Sequence, residues 1–517
     1  MPGTARDATT HDEVELKYAV GEDFVLPELE GLDGEARTDR LEAVYFDTPG
    51  QRLAAARVTL RRRTGGEDAG WHLKLPLAGA RREVRLPPGR SARGVPRELQ
   101  RLVSSLTRGE PLVPVARLIT LRTVRHVVDT GGRVLAEVAD DRVQARRLLT
   151  EGPAPAPETW RELEVELVEG DRQLLSDLDA QLRAHGVVEA PHGSKLARAL
   201  GTPPAAPAAA PLKRGSAAGA VVGAHLAAQV SVIVSGDPMV RLDEPDSVHK
   251  VRVATRRLRS ALKTYRPLFA EGVPEALREE LSWLADELGG ARDAEVMRDR
   301  LVAAVGELDP VEGEDPAATA TALREVLEAD YRAAHDELLR ALDGERYAAL
   351  LARLEELVAA PLDGPPFSPL ALEKAKDVLP GMVRATDRKL RKRVRAAYAA
   401  DADPAVPAVE ADHLFHDARK RAKEARYAGE SLVPVWGEEA KAYAKAVEGL
   451  QEVLGEHQDS VVVREVLHRL AGRDPQALAF TCGRLYAAEV GRAAASREAV
   501  DAAWEAASSR KLRRWLR

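Results

Sequence analysis

The stretch Glu13-Val14-Glu15-Leu16-Lys17-Tyr18 alternates charge with bulk. In a strand, successive side chains point to opposite faces, so Glu13, Glu15 and Lys17 share one face and Val14, Leu16 and Tyr18 the other. The apolar face buries. Two carboxylates and an ammonium side by side are costly to dehydrate, and they suit a water-filled cavity that holds a polyvalent ligand with a metal ion. For a single stretch the alternative is a solvated edge strand, so the neighbouring strands decide.

They repeat the pattern. Leu41–Thr48 is an apolar run closed by the turn signal Asp47-Thr48-Pro49-Gly50. Thr59, Arg61 and Arg63 then share a face, with Arg62 opposite, and His72 and Lys74 oppose Leu73 and Leu75. Arg81, Glu83 and Arg85 are in phase. After a short helix expected over Pro96–Leu106, the run Ile119–Val128 offers Arg122 as its inward cation, and Glu137 and Asp141 fall in phase on the next. Arg161–Val168 sets Glu162, Glu164 and Glu166 against Leu163, Val165 and Leu167. A helix from Asp171 to His185 and the pair Ser194-Lys195 follow. About eight strands with one apolar and one charged face imply an antiparallel barrel whose lumen holds both signs. Arg and Lys there suit phosphoryl oxygens, and the carboxylates suit Mg²⁺ or Mn²⁺.

A chain of 517 residues exceeds one hydrophobic core. Its net charge of -6 and 4% aromatic content argue against a nucleic-acid partner, which needs basic surface and stacking rings. The single cysteine, Cys482, excludes internal disulfides and fits a reducing compartment. Met1–Asp12 lacks the basic-then-apolar order of a signal peptide, and no apolar run reads as membrane-spanning, so a cytoplasmic location without membrane contact is expected. No Gly-rich phosphate loop or kinase motif occurs.

An Ala/Pro spacer at 201–214 separates this β-rich part, residues 8–200, from an all-helical one, residues 215–510. In the helical part His249, Arg252, Arg256, Arg259, Lys263 and Arg266 form one stripe beside an apolar face of Val248, Val251, Leu258, Leu262 and Tyr265. No acidic residue lies within that segment, so the helix calls for an anion. His416, Arg419, Lys423 and Arg426 repeat the spacing, and Leu288-Gly289 with Asp293 answers Leu454-Gly455 with Asp459. Asp293 follows His249 by 44 residues and Asp459 follows His416 by 43. This indicates an internal duplication, repeats at about 220–370 and 371–510, with the two basic helices facing one groove. A further basic helix is expected at 384–395, and the tail Arg510–Arg517 reads as a solvated helix end.

Taken together, Glu13-x-Glu15-x-Lys17, Tyr45-Phe-Asp-Thr48, Leu60-Arg-Arg-Arg63, Leu73-Lys-Leu75, Arg81-x-Glu83, Glu137 with Asp141, Glu162-x-Glu164-x-Glu166 and Ser194-Lys195 resemble a CYTH domain of the triphosphate tunnel metalloenzymes. The paired His/Arg helices resemble a CHAD domain. The fold class implied is α+β multidomain: an eight-stranded antiparallel β tunnel with flanking helices, then an all-α duplicated bundle. By this resemblance Lys17, Arg61, Arg63, Lys74, Arg81, Arg122 and Lys195 contact phosphates. Glu13, Glu15, Glu137, Asp141, Glu162 and Glu164 ligate Mg²⁺ or Mn²⁺ or orient water. Glu13, Glu15, Lys17 and Glu83 form the catalytic set, with Glu83 steering the basic residues. Thr120 stands where a second cation beside Arg122 is expected. For the helical half the resemblance implies inorganic polyphosphate, bound by His249, Arg252, Arg256, Arg259, Lys263, His416, Arg419, Lys423 and Arg426. The expected function is polyphosphate binding with metal-dependent hydrolysis of triphosphate or polyphosphate ends. The alternatives are a non-catalytic polyphosphate-granule protein and an adenylyl cyclase or thiamine triphosphatase. Oligomeric state is left open.

Overall fold

The computed structural model describes residues 9–77, 79–89, 94–149, 156–201, 211–309, 311, 315–473 and 478–517. These fall into two compact units dividing at residues 209 and 210. Most of the Ala/Pro spacer, residues 202–210, lies outside the described residues.

The first unit is built on β1 (Thr9–Glu13), β2 (Glu15–Val20), β3 (Arg37–Asp47), β4 (Thr59–Thr64), β5 (Gly70–Leu77), β6 (Ala80–Leu86), β7 (Val113–Val128), β8 (Val134–Arg147), β9 (Glu158–Leu167) and β10 (Val188–Glu189). They form one antiparallel sheet in the order β1-β6-β5-β4-β3-β7-β8-β9-β2-β10. The strand count is ten rather than eight for a local reason. Val14 interrupts the first charged stretch, so β1 pairs with β6 while β2 pairs with β9. Consecutive segments of one run thus bind both flanks of the sheet, which curls back on itself. The remaining addition, β10, is a two-residue strand beside β2.

Alternation decides the faces. Tyr18, Val138, Leu163 and Val165 point outward and are covered by Leu175, Leu178 and Leu182 of the helix Arg172–Ala184. Asp171 caps that helix by accepting from the Leu174 amide, and the Tyr18 hydroxyl donates to Asp179 at 2.8 Å. Each buried leucine contributes roughly 1.5–3 kcal/mol by leaving water. A second cluster, on the inner face of the sheet, joins Tyr45, Leu118 and Trp160 to Leu196 and Leu200 of the helix Lys195–Leu200. Ser194 caps this helix from the Ala197 amide, and the cap fixes Lys195 at its first position. The one helix expected at 96–106 is two short ones, Arg97–Leu102 and Ser104–Thr107.

The second unit is helical. Its core takes in Val248, Val251, Leu258 and Leu262 from the helix Ser247–Thr264, Tyr265 at that helix's C-cap, and Ala418, Ala422 and Ala425 from the helix Ala408–Glu430. The long helices Val273–Gly306 and Glu438–Arg473 run beyond it into a smaller core where Leu301 and Val305 meet Leu467, Leu485 and the buried thiol Cys482.

Two sequence expectations need correction here. The tail is no solvated end: Trp515 and Leu516 are buried, and Trp515 packs on Trp436 and Tyr443 at ring-centroid distances of 6.1 and 6.0 Å. Its indole and leucine outweigh the five basic side chains, of which Arg513 turns inward to the Ser508 carbonyl. The helix Ala218–Arg241, moreover, has the length and mean hydropathy, 1.6, of a membrane span. Val222, Leu226, Ile233 and Val240 of this helix are buried in the core of the unit.

Candidate functional site

The inner face of the curled sheet encloses a cavity of ≈ 250 Å³. All seven cations singled out in the sequence line it, because alternation holds in every strand that carries one. Glu13, Glu15, Glu137 and Glu164 line it too. Asp141 and Glu162 sit behind Lys195, whose ammonium lies 2.8 Å from Asp141, 2.7 Å from Glu162 and 2.7 Å from Glu164. Arg122 forks onto Asp141 at 2.8 and 2.6 Å and reaches Glu164 at 2.5 Å. Lys17 holds Glu164 and lies 3.0 Å from Glu15. Burial works against the charge on Glu164, but Lys17, Lys195 and Arg122 outweigh it and keep this carboxyl well below its usual range.

The other flank is less balanced. Glu13 meets Lys74 at 2.5 Å, yet burial still raises its proton affinity. Glu166 has no cation within ion-pair distance among the described residues. Burial, with the Glu13 carboxylate beside it, pushes it up to about 7. His11, Glu13 and Glu166 can bring one ligand atom each within 4.8 Å of one another, as can Asp141, Glu162 and Glu164. Sequence reasoning aligned Glu166 with its neighbours but did not count it as a ligand. It passed over His11, although that residue stands two before Glu13 and therefore in phase.

Glu83 does not line the cavity. It is fully buried and accepts from Arg85, lies 2.9 Å from His72 Nδ1 and 3.8 Å from Lys74, so it fixes these bases from behind. Burial raises the Glu83 carboxyl, and its contacts with His72 and Lys74 more than reverse that, leaving it well below its ordinary value. Arg61 has the Tyr45 hydroxyl at 3.3 Å and, among the described residues, no carboxylate in reach. Thr120 is buried and outside the cavity lining. The lining also includes Arg37, Asp39, Glu67 and Asp68, which the sequence had not singled out, and Arg85, which it had set in phase with Arg81.

In the helical unit the two basic helices do face one groove, of ≈ 600 Å³. Arg256, Arg259 and Lys263 enter from one, Lys420 and Lys423 from the other. The expectation of an unneutralised stripe needs correction, because neighbouring helices supply acids. Arg252 pairs with Asp293 at 2.9 Å and Arg419 with Asp459 at 3.1 Å. Lys263 pairs with Glu424, Arg426 with Glu430 and Glu448 at 2.6 Å each, and Arg266 with Glu275 at 2.6 Å. The second Leu-Gly pair acquires its reason here. A Cβ on Gly289 would lie 3.6 Å from Arg252, and one on Gly455 3.0 Å from Arg419. Gly455 leaves room for the Arg419 guanidinium to cross to Asp459, whereas at Gly289 a Cβ would make only ordinary contact with Arg252.

Arg256 and Lys423 have no carboxylate within ion-pair distance among the described residues. Burial, with Arg256 and Arg419 close by, pulls the Lys423 ammonium down to about 7. Burial and its Arg252, Arg259 and Arg419 neighbours lower Arg256 as well. His249 and His416 lie outside the groove lining. His416 lines a small cleft with His457 and Arg497, and its Nδ1 finds no partner among the described residues.

A curled antiparallel sheet with an ionic lumen, followed by a helical bundle with a basic groove, defines a two-unit architecture. The CYTH domain family matches residues 11–200 and the CHAD domain family residues 224–468. The chain belongs to the family that joins a CYTH domain to a CHAD domain. It is 38% identical to the "Uncharacterized protein Rv2226" of Mycobacterium tuberculosis, over 97% of this chain and 98% of that one. Among solved structures it is similar to PptA from Streptomyces chartreusis, with 21% identity over 56% of this chain and 100% of that one, TM-score 0.45. It is also similar to the CHAD domain from the plant Ricinus communis, with 26% identity over 59% and 96%, TM-score 0.45.

Proposed function

We propose that the protein handles inorganic polyphosphate: the tunnel binds a triphosphate or a chain end and hydrolyses a phosphoanhydride bond, while the helical unit holds the polymer in its groove. The observation that carries this is the convergence of the seven cations on one cavity together with carboxylates. Lys17, Arg61, Lys74, Arg81, Arg122 and Lys195 would grip phosphoryl oxygens, Arg by its fork and Lys as a point charge. Glu13 and Glu15 would orient water toward the scissile phosphorus, which needs alignment and charge neutralisation more than covalent help.

The carboxylates fit a hard divalent ion such as Mg²⁺ or Mn²⁺. Asp141, Glu162 and Glu164 offer oxygen donors only, and Glu166, pushed up to about 7, would give up its proton more readily with a cation beside it. When bound, the ion would neutralise charge on the phosphate and favour an ionised water. One observation favours a second reading, non-catalytic binding: Asp141, Glu162 and Glu164 are already matched by Lys17, Arg122 and Lys195, which compete with a metal.

The test is phosphate release from inorganic triphosphate with Mg²⁺ or Mn²⁺, in wild type and in Glu13→Gln/Glu15→Gln, with long-chain polyphosphate binding measured alongside. Release lost in the double variant while binding persists is expected. No release from wild type leaves the non-catalytic reading.

A further inference from the structure

The two ends of the tunnel differ. At one, residues 190–195 cross beneath the strands: the Ala190 amide donates to the Lys17 carbonyl at 2.9 Å and Arg81 donates to the Gly193 carbonyl at 2.6 Å. Lys195 projects from there among Asp141, Glu162 and Glu164. At the other end, by strand direction, lies the turn between β4 and β5, residues 65–69. Gly65 and Gly66 take φ of +83° and +70°. A Cβ on Gly65 would stand 2.3 Å from the Arg40 carbonyl oxygen and one on Gly66 2.8 Å from Leu41. Only glycine lets this turn press so closely on β3.

That approach puts acids on the outermost cations. The Asp68 carboxylate pairs with Arg63, and Glu67 pairs with Arg37 at 2.5 Å. The Asp68 carbonyl lies 2.8 Å from His72 Nε2, whose other nitrogen is tied to Glu83, so the turn is anchored to the wall of the tunnel. Among the described residues Asp68 is the one carboxylate within ion-pair distance of Arg63, a side chain 8% exposed. Arg61, one strand step further in, has none. Lys17, Lys74, Arg122 and Lys195 carry carboxylate partners deeper in the lumen; toward the turn Arg61 stays open to it, and Arg63 beyond is covered where a further phosphoryl group would sit.

We propose that Asp68 is a specificity-determining residue that caps the tunnel and makes it select short inorganic triphosphate against longer linear chains. The inference rests on the tunnel reading above and narrows its two substrates, a triphosphate or a chain end, to triphosphate. On this reading a triphosphate occupies the cations that lie deeper than the turn. A fourth meets the Asp68 carboxylate on Arg63, with Glu67 and Asp39 beside it, and like charges brought together across a partly dehydrated site discriminate strongly.

Calorimetric titration with inorganic triphosphate and tetraphosphate tests this on the full chain, with Arg256→Ala/Lys423→Ala present throughout so that the helical groove does not contribute. With Asp68 intact, triphosphate is expected to bind more than about tenfold tighter than tetraphosphate. Asp68→Asn is expected to raise tetraphosphate affinity by about that factor and leave triphosphate within about threefold, while Asp68→Glu keeps the discrimination. Equal affinities with Asp68 intact, or an unchanged ratio in Asp68→Asn, overturn the cap. Absence of triphosphate binding, or binding insensitive to Arg61→Met, instead overturns the tunnel reading on which the cap depends.

Discussion

Replacing Lys423 by Met should stabilise the protein while weakening its hold on polyphosphate. The ammonium is largely buried between helices, faces Arg256 and Arg419, and its affinity for a proton falls to about 7. An ordinary lysine titrates near 10.4. Because the folded value is depressed, the unfolded chain binds more protons between roughly pH 7 and 10.4, so stability rises with pH across that window, by about 1.4 kcal/mol per unit. Below pH 7 the full penalty applies. It amounts to a few kcal/mol, reduced to about 2–4 because the side chain retains some exposure to water. Methionine keeps the packing and removes the charge. Urea denaturation at pH 6.5 and 8.5 is the assay. Wild type should gain about 2 kcal/mol between the two, relative to Lys423→Met, and the variant should be the more stable at pH 6.5. Its polyphosphate affinity at pH 6.5 should fall, and wild-type affinity should fall toward the variant's at pH 8.5 as the ammonium deprotonates. Parallel pH profiles, or a variant less stable at pH 6.5, would refute the account of a cation held in readiness for an anion.

Gly455→Ala should leave stability within about 1 kcal/mol, since alanine favours a helix, yet lower polyphosphate affinity severalfold by displacing Arg419; Gly289→Ala, with its wider clearance, should not. Both are read by denaturation and binding titration. Lys195→Met strips Glu162 of its cation, with Asp141 and Glu164 beside it, and should cost about 3–5 kcal/mol, part of it recovered by millimolar Mg²⁺ or Mn²⁺ in a thermal melt. Trp515→Ala should cost about 3–5 kcal/mol in urea, against almost nothing for a solvated tail. Added salt should weaken polyphosphate binding linearly on a log–log plot, with a smaller slope in Arg256→Ala.

The sequence by itself determined which side chains share a face. In strands a period of two is rigid, so Glu13, Arg61, Lys74, Arg122 and Glu164 could be assigned to one lumen without knowing which strand neighbours which. It also determined the duplication, because spacing from His249 and His416 is a property of the chain alone. Tertiary structure decided what neutralises what. Asp293, Asp459 and Glu424 lie on other helices or past a turn, and their pairing left Arg256, Arg259 and Lys423 as groove cations with no carboxylate in ion-pair distance among the described residues. Asp68 reads as one polar residue in a glycine-rich turn until the close approach of Gly65 to Arg40 carries it onto Arg63. The basic tail is buried for a comparable reason: two apolar side chains found a partner surface of Trp436 and Tyr443. Periodicity is local and survives in one dimension. Charge compensation and burial depend on contacts between distant segments, and only the folded chain brings those together.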